Sequence, residues 1–117
     1  AVEFYKKRPS HLVQLQHCQE GIQLLWVLSQ SKISLPNFDL SRCTVDSKQR
    51  LWLIDLSGAT QTSSQDAFVN NFELARAWTQ SQLQHLPKHK KPLFLDSALE
   101  AKSNFGELMR VMLELKH

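Results

Sequence analysis

The chain has 117 residues, 42% apolar and 21% charged, with only 3 Gly and 4 Pro, a composition that folds and leaves little for disordered tracts. That length suits one domain, residues 1–117, with 1–9 as a lead-in segment, and excludes a second domain within it. Net charge is +3, and the excess is local, in Lys6-Lys7-Arg8 and Lys88-His89-Lys90-Lys91.

No apolar run reaches the roughly 20 residues of a membrane-spanning helix, and the N-terminus lacks the apolar stretch of a signal peptide. Cys18 and Cys43 form no Cys-x-x-Cys or Cys-His spacing, so buried thiols in a reducing, cytoplasmic setting are expected. The chain starts at Ala1 without Met and is expected to be trimmed or part of a longer polypeptide.

Pro9 interrupts the lead-in. From Ser10, a helix N-cap, Leu12, Leu15, Cys18, Ile22 and Leu25 recur at helical spacing and predict a helix over 11–29. Leu24 to Leu28, with Trp26, is apolar nearly all round and predicts a deeply buried C-terminal end. Gly21 costs about 1 kcal/mol in mid-helix, which a close neighbour would explain. Pro36 makes 35–40 an irregular loop. Cys43-Thr44-Val45 and Leu51-Trp52-Leu53-Ile54, joined by a polar turn, read as a hairpin. The second strand, apolar throughout, is expected to be covered on both faces, with Trp52 in the core beside Trp26 and Trp78.

Ser57 to Gln65 reads as a flexible loop. Ser63 followed by Asp66 then starts a second helix over 66–85, with Phe68, Phe72, Ala75, Leu83 and Leu86 on one side and Pro87 as its stop. A third helical region follows a cap at Asp96 or Ser97, with Ala98, Ala101, Phe105, Leu108, Met112 and Leu115 aligned and Asn104 and Gly106 as potential breaks. The expected class is α+β, mostly helical: long helix, irregular loop, short β-hairpin, then two or three helices.

In this order the elements resemble the C-terminal lobe of the protein-kinase-like fold. The resemblance rests on Gln19 to Ile33, Leu35 to Val45, and Leu51-Trp52-Leu53-Ile54-Asp55-Leu56-Ser57-Gly58. Bacterial small-molecule and lipopolysaccharide core kinases look closest, since their strand also reads Leu-Ile-Asp before a residue other than Phe. Asp55 matches the metal-binding Asp, with Leu56 and Ser57 where Phe and Gly are common. The family's spacing, counted back from Asp55, puts Asn37 at the catalytic base and Arg42 at the second metal ligand. A hairpin two residues shorter puts Asp39 and Thr44 there instead, and both registers stay open.

The resemblance implies Mg²⁺ and ATP as cofactors, Asp55 as the metal ligand, Asp55 and Arg42 at the cofactor, and Asn37 or Asp39 as the catalytic residue, since phosphoryl transfer needs a carboxylate-held metal and an oriented hydroxyl. The Gly-rich loop and strand Lys are absent ahead of this segment, so the lobe is partial or degenerate and no competent phosphotransferase alone. Its partner is then a missing N-terminal lobe, another protein or a second copy. The alternative is a non-catalytic helical interaction module, a homo- or hetero-oligomer. Nucleic acid or an anionic membrane surface, held through Lys6, Lys7, Arg8, Lys88, Lys90 and Lys91, ranks last for want of aromatic–basic interleaving. His11, His17, His85, His89 and His117 show no paired ligand spacing, and Ser57 and Ser63 lack a nucleophile motif.

Overall fold

Ser10 and Ser63 start the two long helices of the computed structural model, which describes residues 2–84 and 104–115. The Ser10 hydroxyl accepts the Val13 amide at 3.3 Å and the Ser63 hydroxyl accepts the Asp66 amide at 3.1 Å, each satisfying an amide that the first helical turn leaves unpaired. The elements run α1 (Val2–Tyr5), α2 (His11–Gln30), β1 (Ile33–Ser34), a 3-10 turn (Leu40–Arg42), β2 (Cys43–Val45), β3 (Leu51–Leu53), β4 (Thr60–Gln61), α3 (Ser64–Leu83) and α4 (Phe105–Leu115). The class is mostly helical α+β, as the periodicities imply.

Helices α2 and α3 are each other's main packing partners, with Cys18, Ile22 and Leu25 facing Phe72, Ala75 and Trp78, and α4 closing the core with Phe105, Leu108 and Met112. Full burial of such side chains contributes about 2 kcal/mol each. At Gly21 the indole of Trp78 lies against the α2 backbone: a Cβ there would lie 2.2 Å from Trp78 Nε1, whose N–H donates to the Cys18 carbonyl at 3.2 Å. The close neighbour expected from the sequence is therefore an indole.

Strands β2 and β3 pair antiparallel, with Cys43 opposite Leu53 and Val45 opposite Leu51. Asp46 shapes their turn by accepting the Lys48 and Arg50 amides, each at 2.9 Å. Glu20 of α2 ties the hairpin down, meeting Arg50 Nε at 3.0 Å and the Leu51 amide at 3.4 Å. Asn104 accepts the Glu107 amide at 2.9 Å and so starts α4. Asp96, Ser97, Ala98, Ala101, Leu86, Pro87, His85, His89, His117 and Lys88 to Lys91 lie outside the described residues.

Four expectations are corrected. The second hairpin strand is covered on one face only: Leu51 is buried, while Trp52 is 56% and Ile54 66% exposed. Among the described residues the sheet holds two strands, and a side chain pointing away from α2 meets no second layer there. The last turns of α2 are likewise one-sided, with Leu25 buried and Trp26 and Val27 exposed, because only one side faces α3 and α4. Of the three indoles, only that of Trp78 is core. Finally, the small-residue loop carries β4, paired to β1 through Ile33 opposite Gln61 and Ser34 opposite Thr60; two-residue strands are too short to leave a periodic signal.

No helix among the described residues is long and apolar enough to cross a membrane.

Candidate functional site

Two loops meet beside the hairpin, one ahead of β2 (35–42) and one after β3 (54–59). The first is anchored from below by a buried amide on α3. Asn71 Nδ2 donates to the Ile33 carbonyl at 2.8 Å and to Ser29 Oγ at 3.1 Å, and its Oδ1 accepts the Leu35 amide at 3.3 Å. Asn70 adds a bond to the Leu35 carbonyl at 2.8 Å. Side-chain amides do here what a third strand would do, pairing an otherwise irregular backbone. The second loop turns at Gly58, whose φ of 78° is open to glycine and whose missing Cβ leaves room for Pro36, 2.9 Å from where that atom would be.

Each loop carries the triplet Asp-Leu-Ser, and each Asp serves its own loop. Asp39 Oδ1 accepts the Ser41 amide at 2.9 Å and the Ser41 hydroxyl, capping the 3-10 turn. Asp55 Oδ1 accepts the Ser57 amide at 2.8 Å and the Ser57 hydroxyl at 2.5 Å. The Ser57 bonds, followed by the Arg42 charge, hold the Asp55 carboxyl below the ordinary carboxylate range.

Arg42 joins the two loops. Its backbone carbonyl accepts the Ile54 and Asp55 amides at 2.9 and 3.2 Å. Its side chain is only 8% exposed; Nε donates to Asn37 Oδ1 at 2.7 Å, Nη1 donates to the Asp55 carbonyl at 3.1 Å, and Nη1 lies 4.0 Å from Asp55 Oδ1. The hairpin thus gathers Asn37, Arg42 and Asp55. Asp39 is occupied by its own turn, and half-buried Thr44 lies opposite Trp52 within the hairpin.

These residues do not fit Mg²⁺. The Asp55 carboxylate has a guanidinium beside it where a second oxygen ligand is needed, and a divalent ion there would be repelled at short range by a buried cation. Among the described residues no group of three or more His, Cys, Asp and Glu could hold a metal ion.

Two constellations were not read from the sequence. One is the Asn71 anchor, since an Asn within a helix period looks like any solvated position. The other is a buried node at His17, whose Nε2 faces the Gln49 carbonyl at 2.7 Å and whose Nδ1 lies 2.8 Å from the Tyr5 hydroxyl, itself 3.1 Å from Gln82 Oε1. A carbonyl only accepts, so Nε2 donates, and the node ties α1, α2, α3 and the hairpin turn together. His17 is accordingly structural, and burial raises the Tyr5 phenol above its ordinary value. His11 is exposed at the start of α2.

No family model matches the chain, and no curated protein or solved structure does either.

Proposed function

We propose that the chain is a partial or degenerate kinase-like C-terminal lobe, nearest in its motif to bacterial lipopolysaccharide core and other small-molecule kinases, that does not transfer phosphate by itself. The observation that carries this reading is the meeting of Asn37, Arg42 and Asp55 across a hairpin that joins the two loops. Such a fold brings its catalytic-loop and metal-loop residues together in this manner, and here an amide and a guanidinium stand at two of the three positions. A neutral amide cannot take a proton from a hydroxyl, and a cation cannot bind a metal, so chemistry is not expected of this lobe.

The test is an ATP titration, with and without Mg²⁺, followed by thermal melting and by release of phosphate. A ligand that binds the native state raises its melting temperature. A rise with ATP that does not depend on Mg²⁺, without turnover, is expected. A flat response removes nucleotide binding, and Mg²⁺-dependent turnover overturns the non-catalytic reading.

The second reading, a non-catalytic interaction module, is favoured by the apolar surface beside this site. Trp52, Ile54, Leu56 and Val27 are each about half exposed or more, and Val27 and Trp52 line one groove between α2 and β3. Apolar surface concentrated in this way marks contact with another protein or a second copy.

A further inference from the structure

Mg²⁺ is held by oxygens: carboxylates, amide and backbone carbonyls, and waters. The two loops beside the hairpin offer one of each protein type, namely the Asp55 carboxylate, the Asn37 side-chain carbonyl and the Asp55 backbone carbonyl. All three converge on one cation, and it is covalently attached. Nε of Arg42 takes Asn37 at 2.7 Å, the short length of a charge-assisted bond, while Nη1 takes the Asp55 carbonyl at 3.1 Å and stands 4.0 Å from its carboxylate.

We propose that Arg42 is a tethered cation standing in for a divalent ion between the loop ahead of β2 and the loop after β3, and that it closes this site to hard divalent cations. The inference rests on the kinase-like reading only for its comparison with a metal; the convergence on Arg42 stands without it. A guanidinium has directional donors and binds its oxygens without stripping a tightly held water shell, so the loops stay joined whatever the ion concentration. The chemistry around Arg42 agrees. Asp39 and Asp55 each turn Oδ1 to the serine of their own loop, so the guanidinium, and not a second carboxylate, is the charged group beside Asp55. Arg42 also reaches both loops through its main chain, since its carbonyl accepts from Ile54 and Asp55. Removing its side chain therefore deletes the cation while leaving the backbone link between the loops.

Mn²⁺ is the probe, its free concentration read by electron paramagnetic resonance during titration of the wild type, Arg42→Asn, Arg42→Asp and Asp55→Asn. The wild type and Asp55→Asn are expected to behave alike. Arg42→Asp, with two carboxylates, is expected to bind Mn²⁺ at least about tenfold more tightly than wild type, and Arg42→Asn to a smaller extent, both gains being lost when Asp55→Asn is added. Wild-type binding that depends on Asp55 overturns the proposal. So does an Arg42→Asp chain that is folded by circular dichroism and binds no better. Should both Arg42 variants fail to fold, the comparison of wild type with Asp55→Asn decides by itself: equal binding upholds the proposal and tighter wild-type binding overturns it. A flat ATP response would remove the nucleotide reading and leave these outcomes unchanged.

Discussion

Gly21 shows how much a single residue carries here. Replacing it with Ala gains about 1 kcal/mol in helix propensity, but the new Cβ must displace an indole that is itself bonded to the Cys18 carbonyl. Overpacking costs up to about 3 kcal/mol, so a net loss of about 2 kcal/mol is expected for Gly21→Ala in urea unfolding. The two aspartates at turns give a second residue-scale expectation. Asp46, through Trp52 Nε1 at 2.8 Å and the Arg50 amide, and Asp55, through Ser57, are both held below their ordinary range in the folded chain. A depressed carboxyl binds its proton more weakly when folded, so its stabilisation is present above about pH 4 and is lost as pH falls through the lower folded value. Melting temperature is therefore expected to hold from neutral pH down to about 5 and then fall, with a smaller acid loss in Asp55→Asn.

Among the elements, α2, α3 and the hairpin were legible because each repeats a pattern: Leu15, Cys18, Ile22 and Leu25 at helical spacing, and two β-prone runs around a polar turn. Element existence did not convey burial. The run from Leu51 to Ile54 reads as a doubly covered strand, yet among the described residues it lies in a two-stranded sheet that packs on α2, and Trp52 and Ile54 are exposed. Anchoring between elements was also silent in the sequence. Asn71 holds β1 and the Pro36 loop from α3, and its replacement by Ala leaves the Leu35 amide and Ile33 carbonyl without this buried partner. A loss of about 3 kcal/mol is expected for Asn71→Ala by thermal or urea unfolding, against less than about 1 kcal/mol for an exposed position such as Asn70→Ala's neighbour Val69→Ala.

For the molecule as a whole, the apolar side chains around β3 predict association. Light scattering across a concentration series is expected to show a species larger than one chain, and the change Ile54→Ser, at a side chain 66% exposed, is expected to shift it towards one chain while circular dichroism shows the fold retained. A wild type that scatters as a single chain at high concentration removes self-association and counts against the interaction reading.

Composition and periodicity by themselves determined the class, the two long helices with their serine caps, and the hairpin, because caps, periods and turns are local properties of a chain. Only the tertiary structure decided what those residues do to one another. It turned Asp39 and Asp55 onto their own serines, placed the Arg42 guanidinium between two loops, and left one face of the hairpin uncovered. Each outcome depends on which distant backbone or side chain a group meets, and a spacing of residues does not encode that.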